Sequence, residues 1–284
     1  MLNLVRNITV HGPDPFGRPS QFHLYPNASK GVLHWTIRSN SGTQTRTVTS
    51  DLLRYATRTV RLTKGSVDLP VAEHILPLAW FVAGVHIIQL SAYPPYIMPG
   101  ELLKSSGPHS IRSACEVSKP RDWDSIIAGA EWEYPKPRGG TRAYTRVLPH
   151  KKKTLEVFVS IDYPGVGHFE KTYDLESMTE AEAIRILSTH TQMVVPFPAL
   201  TKRLLSFAQW PFMNHVVWPD VSSEAARQKT LEAWANHRFL DILGTFGVLV
   251  DGYDCPSMRI ESVNSGHMAD VNVARRVLIR RVVS

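Results

Sequence analysis

Two cysteines in 284 residues, Cys115 and Cys255, are too few for a disulfide framework and lack metal-ligand spacing. A reducing compartment is therefore expected. Long apolar runs are also missing: the longest, about 75–90, is interrupted by Pro77 and His86 and is too short to span a bilayer. The opening residues, Met1 to Asn7, lack the basic-then-apolar layout of a secretory signal. Organised basic character is scarce too. The net charge is +7 and the isoelectric point near 9.5, yet the basic residues are scattered and Lys151-Lys152-Lys153 is the one real run. No nucleic-acid motif accompanies it. These absences lead to the expectation of a cytoplasmic protein without a transmembrane segment or a nucleic-acid partner. The basic surface would suit an anionic small molecule.

What is present is an ordinary globular composition, 43% hydrophobic and 20% charged, sufficient for one large or two medium cores. Strand-like runs at 4–10, 31–37, 84–90, 155–163 and 257–263 alternate with helical segments at 71–82, 179–187, 197–207 and 223–249, and a last helix starts near His267. Similar element order in the two halves predicts an α+β fold of two similar sheet-plus-helix domains, 1–105 and 131–284. A polar, irregular linker is expected over 106–130.

The chemistry-bearing residues fall in three places. His237 and Asp241 are four apart on the long helix, so they leave the same face, about 5–6 Å apart at Cβ. Apolar Trp234, Leu240, Leu243 and Phe246 surround them, and a carboxylate in such company needs a cation or strong hydrogen bonds. Glu73-His74 opens an apolar helical stretch, where neighbours diverge by about 100°, so an imidazole could bind a metal while the carboxylate faces a water. Ser265-Gly266-His267 joins a strand to a helix, and the glycine lets backbone approach a ligand closely.

Together these motifs resemble the zinc-dependent UDP-3-O-acyl-N-acetylglucosamine deacetylase family of lipid A synthesis. That family has a Glu-His pair, a His-Lys-x-x-Asp-x-x-Gly segment and a Ser-Gly-His turn in the same order. Here they read Glu73-His74, His237-Arg238-Phe239-Leu240-Asp241-Ile242-Leu243-Gly244 and Ser265-Gly266-His267. Ile161-Asp162-Tyr163 stands where the family has Ile-Asp-Phe, and Asn214-His215-Val216-Val217 where it has Asn-Ala-Ile-Val.

The resemblance implies an active site between two α+β domains and a zinc ion on His74, His237 and Asp241, with one position left for water. It implies Glu73 as general base, a protonated His267 as oxyanion stabiliser and proton donor, and Thr191 as oxyanion-hole residue. Arg238, Tyr163, Gln192 and Phe212 match substrate-contact positions. The implied reaction is removal of the N-acetyl group from an amino sugar or glycoside, nucleotide-linked or acylated.

Several positions depart from the pattern: Arg238 for a lysine, Asn264 for a lysine, Gln192 for a phenylalanine. Thr245 stands where the family has the aspartate that orients the catalytic histidine. These changes leave three alternatives: a relative acting on another N-acetylated sugar, the lipid A enzyme itself, or a non-catalytic zinc-binding module.

Overall fold

The computed structural model describes the chain except residues 15–16, 27–33, 40–41, 57–58, 65–66, 70–71, 84, 90–93, 108–109, 119, 136–141, 193–197, 208–215 and 280–284. Its architecture is α+β, as expected, with helices set among several sheets. No helix among the described residues is long and apolar enough to cross a membrane.

In the N-terminal part, five strands run in the order Ile8–Pro13, Pro19–Pro26, Val85–Gln89, His34–Ser39, Gly42–Thr47. All neighbours are antiparallel except the pair Val85–Gln89 and His34–Ser39. A three-stranded meander, Leu53–Ala56, Thr59–Lys64 and Val67–Leu69, follows. The predicted strand over 4–10 is interrupted, with strands at Leu2–Leu4 and Ile8–Pro13. The Val5 and Arg6 N–H groups both donate to Ala114 O, which breaks the alternation a ladder needs.

The C-terminal sheet is organised on the ten-residue strand Asp254–Val263. It pairs in parallel with Leu155–Tyr163 and antiparallel with Tyr144–Pro149, and its first residues pair in parallel with Asp122–Ala128. Residues 106–130 are therefore not simply irregular linker. Cys115–Val117 is a strand paired with Leu2–Leu4, and Asp122–Ala128 is built into the C-terminal sheet. The Pro120 stretch only separates two strands whose backbone groups find ladder partners.

Five α-helices are described: α1 Pro99–Leu103, α2 Glu180–Leu187, α3 Pro198–Phe207, α4 Glu224–Phe246 and α5 His267–Ala274. The N-caps of α2 and α4 are those their sequences favour: Thr179 accepts the Glu182 N–H, and Ser223 accepts the Ala226 N–H. Helix α4 is buried on every side from Trp234 to Phe246. It packs on strands Leu155–Tyr163 and Gly167–Asp174, on α2 and α5, and on the segment 72–80. A helix buried all round is a core helix rather than a surface one.

The segment 72–80 differs from expectation. It forms two tight 3-10 turns, Ala72–His74 and Leu76–Trp80, instead of one α-helix. Pro77 has no N–H to continue an α-helical ladder toward Glu73. The turns also lie directly on α4. A Cβ at Gly244 would collide with the carbonyl oxygen and Cα of Glu73, and one at Gly247 would come within 2.5 Å of Leu76 O. The Trp80 indole N–H adds a bond to Leu243 O at 2.9 Å. Gly244→Ala should therefore force backbone apart at the centre of the molecule and cost about 3 kcal/mol in urea denaturation. A loss below about 0.5 kcal/mol would show that the contact is not tight.

Candidate metal centre

The close approach of 72–74 to α4 brings His74 beside His237 and Asp241. All three are buried, and one ligand atom from each lies within 4.8 Å of the other two. The imidazole rings of His74 and His237 meet edge-on, with centroids 5.5 Å apart at 73°. His237 Nδ1–H donates to Thr189 O at 3.0 Å, leaving the lone pair on Nε2, which faces Asp241 Oδ1 at 3.4 Å. An unprotonated Nε2 and a carboxylate oxygen that close would both be acceptors, and a cation between them would satisfy both. The separation is near the edge of a tetrahedron with metal–ligand bonds of about 2.0–2.1 Å, roughly 3.3 Å. Asp241 Oδ1 and His74 Nδ1 are both buried without a hydrogen-bond partner. The cluster could hold a metal ion, and the carbonyl of Thr189 fixes the tautomer of one ligand as metal sites require.

Electrostatics point the same way. Burial, then the neighbouring His237, pulls the His74 pKa down to about 3, so its imidazole is neutral and offers a lone pair. Burial alone would raise Asp241, but His237, His267 and Arg238 more than offset it, and the carboxylate stays ionised. Glu73 is different. Burial and then the Asp241 charge hold it well above the usual carboxylate range, although Val60 N–H donates to its Oε2 at 3.0 Å. A buried carboxylate kept out of the ligand set, beside it, and with raised basicity has the properties of a proton acceptor.

His267 opens α5 behind Gly266. Its Nε2 lies 3.8 Å from Asp241 Oδ2, which brings it to the cluster. Its Nδ1 is buried without a hydrogen bond, and so is the Thr245 hydroxyl. Thr245 therefore does not replace the orienting aspartate of the family that the motifs resemble. Burial holds the His267 pKa below the ordinary imidazole value, with Asp241 opposing the shift. Gly266 is extended, and a Cβ there would meet only the Tyr134 hydroxyl at 3.6 Å. The fold itself does not require glycine at that position.

Arg238 needs correction as a substrate contact. It is buried and turned inward, with both terminal nitrogens on Asp270 at 2.6 Å and Nε on Ser262 Oγ at 3.0 Å. Asp270 also accepts the Thr145 hydroxyl, which in turn meets Ser265 Oγ at 2.7 Å. The guanidinium thus ties α4 to α5 and to the turn that carries His267. Asn264 likewise has a backbone role: it sits at φ 46° and its Oδ1 accepts the Asp162 N–H at 2.7 Å. Asparagine tolerates that left-handed conformation better than lysine does.

Tyr163 meets Trp234 edge-on, with centroids 4.7 Å apart, at the strand end where it was expected. Thr191 and Gln192 form a short parallel pairing with Val216 and Val217. The Gln192 side chain and all of Phe212 lie outside the described residues, as do 193–197 and 210–211. Two residues near the centre went unnoticed in the sequence. Tyr96 lays its ring on His74, with centroids 4.9 Å apart, and His190 is close enough for its charge to act on His74. Neither belongs to a motif, so only three-dimensional proximity reveals them.

Comparison with models of known protein families and with curated proteins finds no match.

Two outcomes follow from the geometry. The chain should bind about one divalent metal ion, measured by elemental analysis after equilibration with zinc, and His237→Ala or Asp241→Ala should abolish binding. Retention of full stoichiometry in both variants would place the ion elsewhere. Asp270→Asn, which leaves the Arg238 charge without its partner, should cost about 3–5 kcal/mol in denaturant unfolding. A change within about 0.5 kcal/mol would contradict the buried pairing.

Proposed function

We propose that this chain is a zinc-dependent amide hydrolase that removes the acetyl group from an N-acetylated amino sugar or glycoside. The observation that carries this reading is the buried His74–His237–Asp241 cluster with the ionisable Glu73 carboxylate beside it and outside it. Two imidazoles and one carboxylate are a donor set that zinc favours over harder ions. Zinc held there would polarise an amide carbonyl and lower the pKa of a water toward neutrality.

The remaining work falls to side chains. Glu73 takes the proton of the attacking water onto its carboxylate, and burial makes that carboxylate a better base than an exposed one. The Thr191 hydroxyl donates to the carbonyl oxygen as negative charge develops there. His267, whose Nε2 lies 3.8 Å from Asp241 Oδ2, is the group assigned to pass a proton to the departing nitrogen, a role its burial works against. Water adds across the C–N bond, yielding acetate and the free amine.

The motif resemblance supplies the substrate class: an amino sugar, nucleotide-linked or acylated, with Tyr163, whose ring meets Trp234 edge-on, assigned to stack on it. A second reading, a zinc-binding relative without catalysis, is favoured by one observation. His267 Nδ1 and Thr245 Oγ1 lack the hydrogen bond that would orient a catalytic acid.

Amine release from UDP-N-acetylglucosamine, its 3-O-acyl derivative and simple N-acetylglucosaminides separates the two. The hydrolase reading expects zinc-dependent release from at least one of them. Glu73→Gln should lower kcat by about 10²–10⁴-fold at unchanged zinc content. Unchanged turnover in that variant would remove Glu73 as the base, and no release from any of these compounds by zinc-loaded protein would favour the binding module.

A further inference from the structure

Tyr96 belongs to none of the motifs, yet it is fixed at the centre of the site. Its backbone N–H donates to Pro13 O at 2.8 Å, and its neighbours Pro95 and Ile97 are buried. The ring packs on the His74 imidazole at a tilt of 43°. The phenol oxygen lies 2.5 Å from Thr191 Oγ1. One side chain thus touches both a metal-ligand candidate and the hydroxyl assigned to the substrate carbonyl.

The chemistry of two hydroxyls in contact sets the direction of that bond. Each has one proton, and a phenol O–H is intrinsically a stronger donor than an aliphatic one, so Tyr96 donates and Thr191 Oγ1 accepts even though burial raises the Tyr96 pKa. With the phenol proton on one of its two lone pairs, the Thr191 hydroxyl keeps its own proton to give elsewhere. Donation into an oxygen also polarises that oxygen's O–H, strengthening it as a donor in turn. A threonine without such a partner could rotate its hydroxyl toward a nearby carbonyl instead.

We propose that Tyr96 is a positioning residue that aligns and polarises the Thr191 hydroxyl toward the carbonyl oxygen of a bound substrate. This rests on the amide-hydrolase reading for its substrate, but the pairing itself is a property of the chain. It gives part of the oxyanion stabilisation to a hydroxyl pair separate from His267, whose Nδ1 has no hydrogen bond. The tilted contact with His74 keeps the phenol in register with the ligand set, so the metal site and the oxyanion donor are located by the same ring.

The test uses the zinc-loaded full chain with Tyr96→Phe, Thr191→Val and the double variant. The measurements are kcat and KM, zinc content, and binding of acetohydroxamate by calorimetry. Tyr96→Phe should lower kcat about tenfold, leave KM within about twofold and keep one zinc, a pattern a merely structural role would not produce. Thr191→Val should lower kcat further, and the double variant should match Thr191→Val alone. Unchanged kcat in Tyr96→Phe, a fall matched by zinc loss, or a double variant at the product of the two single effects would overturn the proposal. If the wild-type chain hydrolyses none of the substrates but acetohydroxamate binding weakens with the same non-additive pattern, the hydrolase reading fails and the Tyr96 role stands. If acetohydroxamate does not bind, or binds equally to all four proteins while wild type is inactive, the proposal falls with that reading.

Discussion

The structure depends on the contact between the 72–80 turns and the glycine face of α4. Gly244 and Gly247 bring the backbone of Glu73 and Leu76 against the helix, closer than any side chain would allow. That approach places His74 beside His237 and Asp241 and leaves Glu73 next to the cluster but outside it. Helix α4 can hold this position because it is buried on all sides over its second half and is clamped between the C-terminal sheet, α2 and α5. The burial that fixes the geometry also sets the chemistry. It keeps His74 neutral and raises Glu73, and it would raise Asp241 too if positive charge facing that carboxylate, Arg238 included, did not hold its pKa down.

A second buried charge pair serves the same geometry. Arg238 follows a ligand residue and could have reached a substrate phosphate; instead its guanidinium is saturated by Asp270 and Ser262. Through Asp270, Thr145 and Ser265, it connects the ligand helix to the turn carrying His267. An ion pair so deeply buried is seldom a net source of stability, but breaking it is expensive, and that penalty holds α4 and α5 in one relative position. The departures from the deacetylase pattern thus divide in two. Arg238 and Asn264 have local structural partners, whereas Thr245 leaves His267 without one. The residues that could hold a metal ion, and Glu73 beside them, match the pattern; the surroundings of His267 do not.

Much of this was legible in the sequence where local rules act alone. The four-residue spacing of His237 and Asp241 on a helix and the strands expected at 155–163 and 257–263 follow from periodicity, the second strand starting three residues earlier, at Asp254. The segment 72–80 was misread because its apolar pattern suits an α-helix, while Pro77 and the press of α4 impose tighter turns. Residues 115–128 were misread because polar composition and Pro120 hide strands whose partners lie more than a hundred residues away. The inward turn of Arg238 depends on Asp270, and the role of Tyr96 depends on Thr191. Both pairings are non-local, and no spacing rule announces them.

The central claim is that α4 and the 72–74 turn together form one metal site. Anomalous diffraction at the zinc edge, from crystals of the protein prepared with zinc, tests it most directly. A single strong peak bonded to His74, His237 and Asp241, at about 2.0–2.2 Å from each ligand atom, is the expected result. A zinc ion bound elsewhere, or no peak among these three residues, would contradict it.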